Sequence, residues 1–309
     1  MASFRESASD SFTVGSYKLA SLLAQLTPGP LAYATARLVG FTASASLQSR
    51  RDIIERHIRR VRPDFSKREV RAAVQGAFDS YARYYVESFR LPGLPREVVD
   101  ATFTLDGFER VLEGLSAGKG VILALPHLGG WEWAGRWLAD QRHPITVVVE
   151  ALEPPELFEW FTDLRSNLGM NVVPLGDGVA GEILSALKKN HVVCLLCDRD
   201  IRGDGMSVEF FGESTTLPAG PVTLAFRSGA PVIPVGVYFT DRYNGHHAVV
   251  RPPLQLERNG RLRDDVAAGT QLLARELEFL IRRAPEQWHM FQPNWPSDPG
   301  YAEMRAAQG

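Results

Sequence analysis

The sequence predicts an α/β protein with a mostly parallel central sheet flanked by helices, and a helical N-terminal portion. Two observations carry this fold class. From Phe103 to Cys197, short apolar runs alternate with stretches of helical periodicity, the pattern of parallel strands joined by crossover helices. Before that region, residues Val14 to Phe89 read as helices broken by proline and glycine. No internal repeat or low-complexity tract interrupts the 309 residues. The expected organisation is a helical portion over 1–95, an α/β core over 96–295 and a flexible tail over 296–309, all within one structural domain.

Each element has its own signal. Tyr17, Leu19, Leu22, Leu23 and Leu26 suit a helix that Thr27-Pro28-Gly29-Pro30 must interrupt. Leu31, Tyr33, Leu38, Val39 and Phe41 suit a second, followed by a basic stretch holding Arg50, Arg51, Arg56, Arg59, Arg60 and Arg62. Val70, Ala73, Val74, Ala77, Phe78, Tyr81 and Tyr85 recur at helical spacing over 66–89. Strands are expected at 103–105, 121–125, 145–149, 171–175, 191–197, 208–211, 236–239 and 247–252. Helices are expected at 107–118, 131–141, 155–168, 181–189, 218–228 and 266–283.

Composition narrows the function. A net charge of −2 argues against a dedicated nucleic-acid binder, which is usually strongly basic. Two cysteines provide no disulfide framework and suit a reducing compartment. The start, MASFRESASDSF, is polar and mixed in charge, unlike a secretory signal. No apolar run reaches the length of about eighteen residues that a membrane-spanning helix needs. Two weakly polar helices followed by a basic one nevertheless suit contact with an anionic membrane surface. They equally suit a helical subdomain packed on the core.

The most informative motif is His127-Leu128-Gly129-Gly130-Trp131-Glu132. It lies between an apolar strand and a helix. An imidazole is matched to proton transfer near neutral pH, and a carboxylate on one ring nitrogen frees the other to act as base. On one continuous helix, five residues turn through about 140° and the pair would diverge. His127 must therefore precede the helix and Glu132 must lie in its first turn. A capped turn with a buried histidine fits the same residues.

Other patterns carry less. Gly114-Leu115-Ser116-Ala117-Gly118 matches the nucleophile-elbow spelling but precedes a strand rather than following one. Gly176-Asp177-Gly178-Val179-Ala180-Gly181 follows a strand and opens a helix, with Asp198 at the end of the next strand. That is the context of a dinucleotide fingerprint, although three strands precede it. Cys194 and Cys197 are spaced like a redox or metal pair, yet residues three apart on a strand face opposite ways. No metal-ligand spacing appears.

Ordered blocks along the chain give a family resemblance. They are Ala124-Leu125-Pro126-His127-x-Gly129-x-Trp131-Glu132, Arg165-x-x-x-Gly169, Val193-Cys194-Leu195 to Asp198-Arg199-Asp200, Val208-x-Phe210-Phe211-Gly212, and Leu217-Pro218-Ala219-Gly220-Pro221 continuing to Gly229-Ala230-Pro231-Val232-Ile233-Pro234. Together they resemble the bacterial lipid A (lauroyl-type) and phosphatidylinositol mannoside acyltransferases over about residues 100–295. The block Trp288-His289-Met290-x-Gln292-Pro293-x-Trp295 is more similar to the phosphatidylinositol mannoside branch.

The resemblance implies an α/β O-acyltransferase. It moves a fatty acyl group from acyl-CoA or acyl carrier protein to a hydroxyl of a membrane glycolipid, such as a phosphatidylinositol mannoside or lipid A precursor. It implies His127 as base and Glu132 as its orienting partner, with Glu150, Arg165, Asp198 and Arg199 contacting substrate. It calls for neither metal nor cofactor, and places a peripheral monomer on the cytoplasmic face of the inner membrane. Backbone amides near Gly129 and Gly130 are candidate oxyanion donors, and the Trp131–Trp133 region is a candidate acyl lining. Loops 152–161 and 202–206 are expected to shape the acceptor pocket. Two alternatives stay open: an NAD(P)-dependent enzyme using the Gly176–Gly181 loop, and a lipid-binding protein without turnover.

Overall fold

A computed structural model describes residues 15–150 and 154–307. Helix α1 covers 15–26, followed by α2 (Gly29–Ser46), α3 (Gln48–Val61), α4 (Lys67–Arg90) and the short α5 (Arg96–Ala101). The core then runs β1 (Phe103–Asp106), α6 (Glu109–Ser116), β2 (Val121–Leu125), α7 (Trp131–Asp140), β3 (Ile145–Val149), α8 (Pro155–Asn167), β4 (Met170–Pro174), α9 (Val179–Lys188) and β5 (Val192–Leu196). A hairpin of β6 (Met206–Phe210) and β7 (Glu213–Leu217) follows, then α10 (Gly220–Ser228), β8 (Val232–Phe239), β9 (His246–Val250), α11 (Leu262–Arg282) and α12 (Tyr301–Ala306).

The expected α/β class and mostly parallel sheet are present. Seven strands lie in the order β1-β9-β8-β2-β5-β3-β4. β9 is antiparallel to β8 and parallel to β1, so these two strands run against the other five. Alternation along each strand separates two apolar layers. Ile122, Ala124, Val193, Leu195 and Cys197 belong to one, while Val121, Leu123, Leu125 and Val192 belong to the other. Cys194 packs beside the second layer, on the opposite face from Cys197. Gly118 ends α6 with φ +70°, so the Gly114–Gly118 pattern is a helix terminus.

The hairpin strand β7 has no apolar run to announce it: it reads Glu-Ser-Thr-Thr-Leu. β8 starts four residues before its expected position because Val232, Ile233 and Pro234 extend the buried strand. The expected tail over 296–309 contains the fully buried Asp298 carboxylate and helix α12.

The N-terminal helices pack in an inverted manner. α2 turns Gly29, Ala32, Ala36, Gly40 and Ser44 inward and leaves Leu31, Leu38, Val39 and Phe41 exposed. A Cβ on Gly40 would come within 2.8 Å of the Asp79 Cα, so small residues let α2 lie close against α4. α1 buries Ser21 while Leu19, Leu22, Leu23 and Leu26 face outward, Leu26 at 72 % exposure. α4 begins at a capping box, with Ser66 N–H donating to Glu69 Oε2 at 2.7 Å and Glu69 N–H to Ser66 Oγ at 3.3 Å.

α4 is tied to the sheet through Glu87, which pairs with His246 Nε2 at 2.8 Å and Arg83 at 2.8 Å. Burial alone would raise the Glu87 carboxyl, but His246, with help from Arg83 and Tyr33, outweighs it and lowers the pKa to about 2. The folded carboxylate thus stays ionised well below the ordinary glutamate value of 4.5. The contact contributes stability above about pH 4.5 that is lost as pH falls towards 2. Glu87→Gln is expected to lower stability at pH 7 and to flatten its decline between those pH values, as read by urea denaturation across a pH series.

Candidate active site

The site forms where strand register dictates. Leu125 of β2 pairs with Leu196 of β5. Two residues beyond each lie His127 and Asp198, side by side at the carboxyl ends of adjacent parallel strands, the usual ligand position in open α/β sheets. His127 Nδ1 and Asp198 Oδ1 are 2.6 Å apart. Asp198 Oδ2 accepts from the His127 backbone N–H at 3.0 Å and from Trp288 Nε1 at 2.7 Å. The Asp198 side chain is fully buried while His127 keeps 20 % exposure. Burial would raise the Asp198 carboxyl; the His127 ring, with the Trp288 indole and the His127 amide as further donors, outweighs it and lowers its pKa. Because Nδ1 faces a carboxylate, its proton stays there and the lone pair lies on Nε2.

His127 precedes α7 and Glu132 lies in the first turn of that helix, as the five-residue spacing requires. The expected bond between them does not form. Glu132 Oε1 accepts from Arg165 Nε at 2.9 Å and from the Tyr84 hydroxyl at 3.2 Å, and His127 meets Asp198 instead. The first turn of α7 carries Glu132 inward, beneath Trp131, which stacks on Tyr84 at 4.2 Å. Glu132 is 5 % exposed. Burial opposes the Arg165 charge, but Glu132 outweighs it and keeps the guanidinium pKa raised. Tyr84 is raised too, by burial and then by Glu132.

Glu150 and Arg199 pair with each other, and Arg199 also reaches Gln292. Both line a cleft of about 590 Å³ that also contains His127, Arg165, Trp131 and His289. His289 is buried, with Nε2 2.8 Å from Ser80 Oγ. Burial, then repulsion from His127, lowers its pKa to about 3, so it is neutral at physiological pH. A separate apolar recess lies between the sheet and α7, lined by Leu125, Trp131, Trp137, Val147 and Leu196. Trp131 borders both spaces; Trp133 is a core residue stacked on His246.

Sequence reading missed Trp288, Tyr84 and Gln292 as site residues. Trp288 and Gln292 sit in the C-terminal aromatic block; nothing local in α4 signals Tyr84. The Gly129 amide is not a free oxyanion donor, because it donates to the Gln287 carbonyl at 3.0 Å. The dinucleotide reading also fails: β4, before the Gly176 loop, is an edge strand, and Asp198 is occupied by His127 and Trp288. Of the loops expected to shape an acceptor pocket, residues 152 and 153 lie outside the described residues, and Arg202 and Asp204 line the cleft. Among the described residues, no three His, Cys, Asp or Glu side chains form a cluster able to hold a metal ion.

The family model described as bacterial lipid A biosynthesis acyltransferase matches residues 12–297. The chain belongs to this family. It is an acyltransferase of the lipid A and phosphatidylinositol mannoside type. It is 39% identical over 237 residues to the phosphatidylinositol mannoside acyltransferase of Mycobacterium tuberculosis (strain ATCC 25618 / H37Rv), covering 75% of this chain and 72% of that relative. It is 38% identical over 228 residues to the protein of the same name from Mycolicibacterium smegmatis (strain ATCC 700084 / mc(2)155), covering 73% of each.

The Glu132–Arg165 pair has a measurable consequence for the acyltransferase. Glu132→Ala leaves a buried guanidinium without its carboxylate, which costs about 3–5 kcal/mol. Urea denaturation is expected to show that loss. A stability unchanged within about 1 kcal/mol contradicts a structural role for the pair.

Proposed function

We propose that the enzyme transfers a fatty acyl group from acyl-CoA to a hydroxyl of a membrane glycolipid of the phosphatidylinositol mannoside class, with His127 as general base. The observation that carries this is His127 in the cleft wall, its Nδ1 held by the buried Asp198 beneath it and its Nε2 left for substrate. The relatives' names support the acceptor class.

In the proposed reaction, His127 Nε2 takes the proton of the acceptor hydroxyl as its oxygen attacks the thioester carbonyl carbon. The carbonyl π electrons move to oxygen. When they return, the C–S bond breaks, and the departing thiolate takes the proton from His127. The products are an ester and a free thiol, and the base is regenerated. Asp198 holds the ring and balances the imidazolium charge. Arg199 and Glu150 stand in the cleft as polar contacts for the acceptor. The apolar recess behind Trp131, bordered at one side by the paired Glu132 and Arg165, offers the acyl chain an apolar wall.

His127→Ala is expected to abolish transfer; Asp198 keeps its amide and indole donors but loses the ring, so the melting temperature is expected to fall while the protein still folds. Asp198→Asn is expected to lower kcat by about 10²- to 10⁴-fold, the usual range for general base catalysis. Assays with acyl-CoA and acyl carrier protein, each with and without glycolipid, separate the donors and expose simple thioester hydrolysis. Full transfer by His127→Ala ends the base reading.

The inverted packing of α1 and α2 supports docking on a lipid surface. Leu19, Leu22, Leu23, Leu26, Leu31, Leu38 and Phe41 are all more than half exposed, an arrangement that water disfavours and lipid accepts. Charge contributes less than the sequence suggested. In α3, Arg60 bonds Glu213 and Asp298, while Arg50 and Arg56 reach carbonyls of Phe291 and Ser297. Among the described residues, no helix is long and apolar enough to cross a membrane. The protein is expected to sediment with neutral as well as anionic vesicles, and Leu26→Asp combined with Phe41→Asp to stay in the supernatant. Equal sedimentation of both proteins rejects docking through these helices.

A further inference from the structure

The loop after β2 is joined by a distant piece of chain. Leu128 forms an isolated antiparallel bridge with Trp288. Gly129 N–H donates to Gln287 O at 3.0 Å, and His289 N–H donates to His127 O at 2.8 Å. This short ladder brings the Trp288 indole beneath the Asp198 carboxylate, where Nε1–H donates to Oδ2 at 2.7 Å. The indole is 3 % exposed and packed among His57, Phe211 and Trp295.

We propose that Trp288 is a positioning residue for acyl transfer, acting through Asp198 on His127. An aspartate carboxyl rotates in a broad, two-fold torsional well. Held only by an imidazole, it could present either oxygen or swing out of the ring plane. Here Oδ2 accepts two donors from separate chain segments, the His127 amide and the Trp288 indole. Oδ1 alone remains for the ring, in line with Nδ1 at 2.6 Å. The indole also draws charge from the carboxylate. A carboxylate with fewer donors holds the imidazolium proton more tightly, so Trp288 sets how readily His127 returns that proton to the thiolate. The other titratable and charged groups around the triplet are His289 beside the ring, Glu150 and Arg199 in the cleft, Glu132 and Arg165 behind Trp131, Cys197 before Asp198, and His57 against the indole, its Nε2 turned to Asp298. None of them donates to Oδ2.

This rests on the reading of His127 as base, and the test separates the two. Trp288→Phe keeps an aromatic ring and removes the N–H. Its kcat is expected to fall about tenfold, the size of one hydrogen bond's net contribution. The KM for acyl-CoA should stay unchanged, and the acidic limb of the pH–kcat/KM profile should move to higher pH. Phe211→Leu loosens the same aromatic cluster without touching the N–H, and is expected to lower the melting temperature while leaving kcat and the pH limb in place. In the parent enzyme labelled with ¹⁵N-tryptophan, one indole resonance should titrate along the same limb as activity and stop titrating in His127→Ala. That measurement stands even if Trp288→Phe fails to fold. Wild-type kcat and pH profile in Trp288→Phe overturn the proposal, as does an equal loss of kcat in Phe211→Leu or an indole signal that ignores the limb. Full activity in His127→Ala instead overturns the base reading itself.

Discussion

The structure turns on one fully buried carboxylate. Asp198 sits at the end of β5 with no access to water, an arrangement that is tolerable only because donors surround it. Those donors come from two parts of the chain: the ring and amide of His127 after β2, and the indole of Trp288 near the C-terminus. Its own carbonyl accepts from Asn294 Nδ2 at 3.2 Å. The cost of burying the charge is offset by bringing these segments together, so the electrostatics of the acid and the assembly of the cleft are one problem.

The two acids near His127 divide their roles by geometry. Glu132 is nearer in sequence, Asp198 in space. Strand register places Asp198 beside the histidine because both follow a paired residue by the same number of positions. The helix start turns Glu132 away, into a second buried pair with Arg165. Arg165 of that pair lines both the cleft and the apolar recess. The motif spacing therefore reflects two separate contacts, His127 with Asp198 and Glu132 with Arg165, rather than one base with its neighbour.

Much of this was legible in the sequence, because periodicity reports burial. The alternating core from β1 to β5 has apolar runs of the right length, and His127, Arg165, Asp198 and Arg199 all sit where a strand or helix meets the cleft. What was not legible depended on long-range pairing. β7 is polar on its exposed side and lacks a strand-like run. The reversal of β9 against β8 needs no local signal beyond the turn Arg242–Gly245. The choice of acid for His127 follows from which strands are neighbours, and the role of Trp288 from a bridge across the whole core. α1 and α2 were visible as leucine-rich helices, but only packing shows that their large side chains face outward and their small ones inward.

The bridge between Leu128 and Trp288 also orders events in time. During synthesis, the strands of the sheet leave the ribosome well before the aromatic segment that completes the site. A nascent chain can hold a formed sheet and apolar recess while Asp198 still lacks its indole donor and the loop around His127 has no partner strand. The contacts among His127, Asp198 and Trp288 are thus completed last, once the segment that bridges Leu128 has left the ribosome.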